Sequence, residues 1–139
     1  MKGTTAEKGR MVVAHFLDGR VLKGTIHDFT PNKTEYHLYE GGQEQRHAVP
    51  VNAGSLKALF FVKSFEGDPS HETDDNFRGT GAHGGRKMRV RFVDGEVLTG
   101  STMGYNPQKP GFFLIPADPD DNNERIYIMN AAVAEVNWL

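Results

Sequence analysis

The sequence contains no cysteine. Disulfides, thiol nucleophiles and cysteine-ligated zinc are therefore excluded together. No apolar run approaches the ~20 residues that a membrane-crossing helix needs, and residues 1–10 lack the apolar stretch of a secretion signal. The expected location is the cytoplasm, with no membrane partner. Neither sign of charge dominates: 16 Lys and Arg stand against 18 Asp and Glu, for a formal net charge of −2. A whole-chain attraction to nucleic acid or anionic lipid is thus missing, and only a local patch could supply one. Also lacking are Gly-x-Ser-x-Gly, His-Glu-x-x-His and a Walker loop. No enzymatic activity, cofactor or metal is expected. What remains, 37% hydrophobic and 24% charged residues, is the composition of a chain that folds rather than one that stays disordered.

The strongest positive signal is an internal repeat. His15-Phe16-Leu17-Asp18-Gly19-Arg20-Val21-Leu22-Lys23-Gly24 aligns with Arg91-Phe92-Val93-Asp94-Gly95-Glu96-Val97-Leu98-Thr99-Gly100 at a shift of 76 positions. The same shift sets Phe29 on Tyr105, Pro31 on Pro107, Lys33 on Lys109, Tyr36 on Phe112 and Leu38 on Leu114. After a variable loop the shift becomes 77, with Val49 on Ile126, Val51 on Ile128, Leu56 on Val133 and Leu59 on Val136. A single insertion in a loop explains the change. The expected organisation is a disordered tail over 1–10, a first copy over 11–65, a flexible Gly-rich and acidic linker over 66–86, and a second copy over 87–139.

Each copy reads as strands. Val12, Ala14 and Phe16, like Met88, Val90 and Phe92, alternate with other residues and should face a core, leaving Arg89 and Arg91 in water. Asp18-Gly19 and Asp94-Gly95 predict tight hairpins with positive φ at both residues. Gly24 and Gly100 predict bends within a strand. Asn52-Ala53-Gly54-Ser55 and Asn130-Ala131-Ala132 suit one 3₁₀ turn each. The expected fold is all-β: two tandem, small, five-stranded barrels. Modules of this size are marginal alone. Leu59-Phe60-Phe61-Val62 is apolar on both faces, so the barrels should pack on each other or dimerise through such strands.

The run Val13-x-His15-x-Leu17-Asp18-Gly19-Arg20-x-Leu22-x-Gly24-x-Ile26, repeated at Val90 to Gly100, resembles the first motif of Sm-like proteins; SH3-like barrels share much of this pattern of turn and bend residues. The resemblance implies a small barrel opened by a strand, a tight turn and a bent glycine strand. It does not carry the family's RNA site. Sm-like proteins hold single-stranded RNA with Asp-x-x-x-Asn and a later Arg-Gly, whereas this chain has Thr30-Pro31-Asn32-Lys33-Thr34, Asn106-Pro107-Gln108-Lys109-Pro110 and Asn-Ala. Gly111 to Asp118 also resembles uncharacterised bacterial modules. The Arg-x-x-x-Arg and Asp/Asn-x-Ser-x-x-Gly signature of PilZ barrels is missing.

Several constellations carry competing readings. Arg86, Lys87, Arg89 and Arg91 could grip phosphates or an acidic partner, or form a solvated face beside acidic Glu66, Asp68, Glu72, Asp74 and Asp75. Asp118-Pro119-Asp120-Asp121-Asn122-Asn123-Glu124 alternates oxygen ligands like a calcium loop but lacks its glycine and distal Glu; a polar hairpin tip is the simpler reading. His15, His27, His37 and His47 lie in one copy without metal spacing. Gly79-Thr80-Gly81-Ala82-His83-Gly84-Gly85 neither follows a strand nor opens a helix, and reads as linker. The leading expectation is a non-enzymatic interaction or regulatory module, bacterial, binding a protein partner or a second copy through barrel edges and the surface around Phe29, Tyr105, Phe60 and Phe113. The alternatives are single-stranded RNA binding through the basic stripe and a small anionic ligand or nucleotide held between the barrels.

Overall fold

The computed structural model describes residues 9–40, 48–72, 74 and 85–139. Its strands are β1 (Arg10–Phe16), β2 (Val21–Ile26), β3 (Glu35–Glu40), β4 (Ala48–Asn52), β5 (Leu56–Val62), β6 (Arg86–Phe92), β7 (Val97–Thr102), β8 (Gly111–Pro116), β9 (Asn123–Met129) and β10 (Val133–Trp138). Short 3₁₀ turns at Ala53–Ser55 and Asn130–Ala132 connect β4 to β5 and β9 to β10. No described helix is long and apolar enough to cross a membrane.

All ten strands join one antiparallel sheet in the order β10-β6-β7-β8-β9-β5-β1-β2-β3-β4. The all-β expectation holds, but the picture of two separate barrels is corrected: the sheet is continuous and open, ending at β10 and β4. Each half nevertheless runs the same plan. Val12 pairs with Gly24 and Ala14 with Leu22, as Met88 pairs with Gly100 and Val90 with Leu98. Leu38 pairs with Val49 as Leu114 pairs with Ile126. The glycines are needed where the sheet bends, because a Cβ on Gly24 or Gly100 would strike the carbonyl of Tyr39 or Ile115.

The hairpin turns differ from expectation in one respect. Only Gly19 (φ 94°) and Gly95 (φ 96°) are left-handed. Phe16 N–H donates to Arg20 O at 2.9 Å and Gly19 N–H to Phe16 O at 3.0 Å, the pattern of a three-residue turn closed by a glycine bulge. The aspartate is retained for its side chain: Asp18 Oδ1 accepts the Arg20 N–H at 3.0 Å, and Asp94 Oδ1 the Glu96 N–H at 2.9 Å.

The halves meet where β5 pairs with β9, setting Ala58 opposite Ile128, Leu59 opposite Tyr127 and Phe60 opposite Ile126. Every residue of β5 is buried. Leu56, Leu59 and Phe61 fill the first core with Val12, Ala14, Phe16, Tyr127 and Met129. Ala58, Phe60 and Val62 fill the second with Met88, Val90, Phe92, Ile126 and Ile128. The doubly apolar strand thus finds its cover within the same chain. Part of the expected linker is also docked: His71 Nε2 lies 2.7 Å from Asp118 Oδ2, and Asp74 N–H donates to the same oxygen at 3.0 Å.

Phe60 serves the second core across the seam, so Phe60→Ala should cost about 3–5 kcal/mol in denaturant unfolding, as large aromatic truncations in packed cores do. It should do so in a single transition rather than in two.

Candidate functional site

Two strand–loop connections from each half converge on the seam. From the first half come the β2–β3 turn, with Asn32, Lys33 and Thr34, and the Asn52-Ala53-Gly54 turn; from the second come Pro107, Lys109 and Pro110 with Met129, Asn130 and Ala131. They surround an open cleft of about 660 Å³, a size that suits a small organic ligand. Pro107, Pro110, Met129 and the alanines make its apolar surface, and no carboxylate among the described residues lines it. Beneath the loops, Phe29 packs edge-on to Phe113 and Tyr127, with ring centroids 5.6 and 5.1 Å apart. Tyr127 Oη accepts the Asn32 N–H at 3.4 Å, and Tyr36 Oη donates to Thr30 O at 2.7 Å. Desolvation raises the Tyr36 phenol to about 12, so it stays a donor at neutral pH.

The two lysines occupy equivalent positions but different electrostatic settings. Lys33 Nζ reaches Asp28 Oδ2 at 3.1 Å, and Asp28 also bonds His37 Nδ1 at 3.1 Å. Burial works against the Asp28 charge, but these partners outweigh it and hold the carboxyl below its usual range. The position matching Asp28 is Gly104, so exposed Lys109 has no such acid beside it. Asn52 Oδ1 accepts the Gly54 N–H at 2.7 Å. Asn130 Nδ2 donates to Asn106 O at 3.1 Å and Lys109 O at 2.8 Å, tying the second loop down.

The residues singled out from sequence are distributed differently. Phe60 is 5% exposed, so its place on a partner surface is corrected: the seam consumes it. Phe29 and Phe113 are half-buried against the first core, and Tyr105 against the second. Arg89 and Arg91 face water as expected. Arg91 is paired to Glu135 at 2.9 Å, and the Arg86 guanidinium sits 3.8 Å over the Trp138 ring. His15 packs at a tilt against Phe60, His27 sits edge-on to Tyr39, and His37 binds Asp28, so these three go to separate partners. His47, Asp75 and residues 79–84 lie outside the described residues. Asp118 is buried and spends its carboxylate on His71 and on the N–H groups of Asp74 and Asp120.

Sequence reasoning missed the lock on the seam. Lys57 of β5 is buried, donates to Asp94 Oδ2 at 2.7 Å and to Glu96 Oε1, and lies 4.6 Å over the Phe92 ring. Burial opposes its charge, yet the two carboxylates raise its pKa overall. In the first half the matching trio is Phe16, Asp18 and Arg20. There Arg20 bonds Asp18 Oδ2 at 2.8 Å and lies 4.6 Å over Phe16. A cation site that the second half fills from its neighbour is filled in the first half from within.

Both outer edges are also unlike the seam. Ala53 N–H bonds Thr34 O at 2.9 Å. Backbone groups alternate sides along a strand, so Val51 and Val49 bond toward β3 and Pro50 faces the open edge. Pro50 therefore offers no N–H where Tyr127, its counterpart, faces Leu59. On β10, Ala134, Glu135 and Asn137 stand where β5 has Lys57, Ala58 and Phe60. Charge and proline of this kind oppose strand addition.

Two outcomes test these contacts. Hydrogen bonds from Lys57 and from the Glu96 N–H depress the Asp94 pKa below 3.8, so its contribution to stability is present above that value and is lost as pH falls through the lower folded value. Unfolding followed across the acid range should show Asp94→Asn losing less stability with falling pH than the parent chain. Restoring the seam's chemistry at both open edges, with Arg20→Glu and Pro50→Val on one and Ala134→Lys, Glu135→Ala and Asn137→Phe on the other, should introduce concentration-dependent association in light scattering at concentrations where the parent shows none.

No curated protein and no solved structure matches the chain significantly. A family model does match, over residues 5–139. The chain therefore belongs to the family of unknown function DUF6982.

Proposed function

We propose that this chain is a non-enzymatic interaction module: two diverged copies of a small, bent, Sm-like or SH3-like β module, fused at one seam and binding through the cleft there. The observation that carries this reading is the convergence of equivalent loops from both halves on one cleft of about 660 Å³. The repeated strand order and register favour duplication. Among the described residues, lysine, amide and hydroxyl groups line the cleft, with no imidazole, carboxylate or thiol, which suits binding better than acid–base catalysis. Self-association through the edges is the weaker reading because of Pro50 and Glu135. RNA binding along β6 is weaker too, since Arg91 and Arg86 already have partners.

Backbone-amide NMR against a chemically diverse fragment set tests the assignment. Binding fragments should shift the signals of Thr34, Gly54 and Ala131. The exposed Ala131→Trp substitution should abolish those shifts while leaving the unfolding midpoint close to that of the parent chain. Hits that map instead to Lys87 and Arg89 would replace this site with the β6 stripe.

A further inference from the structure

We infer that the seam cleft takes a phosphate-bearing ligand of nucleotide size, with the phosphate held by Lys109 and Lys33 and a heterocycle laid on the apolar surface between them. This rests on the cleft being the binding site. Charge gives the first argument. The chain as a whole is slightly acidic, with a formal net charge of −2, yet among the described residues this cleft is lined by two lysines and no carboxylate. Lys109 makes no ion pair with a described residue, because Gly104 replaces the acid that tethers Lys33. Lys33 is held by the partly exposed Asp28, through its carboxylate at 3.1 Å and its backbone carbonyl at 3.0 Å, and lies 5.7 Å from the Tyr36 ring centre; surface ion pairs of this kind are weak enough for a competing dianion to displace. Lysine serves phosphate as a movable point charge.

The amides give the second argument. Asn52 spends its carbonyl oxygen on Gly54 and leaves its NH₂ to donate, whereas Asn130 spends its NH₂ on two loop carbonyls and leaves its oxygen to accept. The cleft therefore presents a donor from one half and an acceptor from the other. A nucleobase edge carries both complements. Met129 and the prolines supply apolar contact for its ring, and a cleft of about 660 Å³ holds such a ligand. The phosphate ester could belong to a free nucleotide or to a single strand of nucleic acid, and the same contacts serve either.

The probes are inorganic phosphate, the common nucleoside monophosphates, the matching nucleosides and a short single-stranded oligonucleotide, titrated by calorimetry and amide NMR at low salt. A nucleoside monophosphate should shift the Lys33, Asn52, Lys109 and Asn130 signals. Lys109→Ala, on an exposed loop, should weaken binding about tenfold, the worth of one charge-assisted hydrogen bond, and Lys109→Arg should restore most of it. Saturation by monophosphates identifies a free nucleotide; binding of the oligonucleotide alone, with the same sensitivity at Lys109, identifies a strand. Nucleosides binding as tightly as their phosphates would overturn the inference. So would failure of every phosphate probe while neutral fragments still occupy the cleft, which would leave the binding-site assignment standing; failure of both kinds of probe would remove the two together.

Discussion

The structure depends on β5 being buried on both faces and paired on both edges. A strand with Leu59 and Phe61 on one side and Phe60 and Val62 on the other cannot end a small sheet in water without exposing one of those sets. Each half alone would bury too little to be securely stable. Pairing β5 with β9 answers both problems at once, since one strand pair then contributes to two cores. Lys57 adds selectivity. A buried ammonium is costly unless its partners are in place, and Asp94 and Glu96 are in place only when the second half sits in this register.

Much of this was legible in the residues. The alternation of Val12, Ala14 and Phe16, and of Met88, Val90 and Phe92, fixed which faces turn inward, because strand side chains alternate with period two. Asn52 and Asn130 marked the 3₁₀ turns, and the apolar run at Leu59 announced a strand needing cover on two sides. What could not be read was where that cover came from. Strand pairing between halves is a non-local choice, and a repeat alignment is silent on it, so the residues suggest two closed sheets where the fold has one continuous sheet. The same gap placed Phe60 on a surface, since an aromatic beside a core and one inside a seam look alike in sequence.

The cleft was half visible. The alignment set Lys33 on Lys109, but a pair of loop lysines acquires meaning only when the fold brings the loops together. The more conspicuous basic run lies on β6, and there the fold supplies Glu135 and Trp138 as partners. Lys57 left no signal beyond being a charged residue in an apolar strand, and that mismatch is the kind of local inconsistency that merits a search for a distant acid.

The contrast between Lys57 and Arg20 gives the chain a direction. The first half reaches outward with a cation and the second receives it, whereas the first half's own receptor is already filled by Arg20. The two halves are thereby complementary parts rather than interchangeable ones. Reversing their order along the polypeptide would bring Ala134 to Asp18 and Asn137 to the edge beside Pro50, a junction with neither lock nor anchor. A further copy of either half joined at an outer edge would therefore meet none of the contacts that hold the seam.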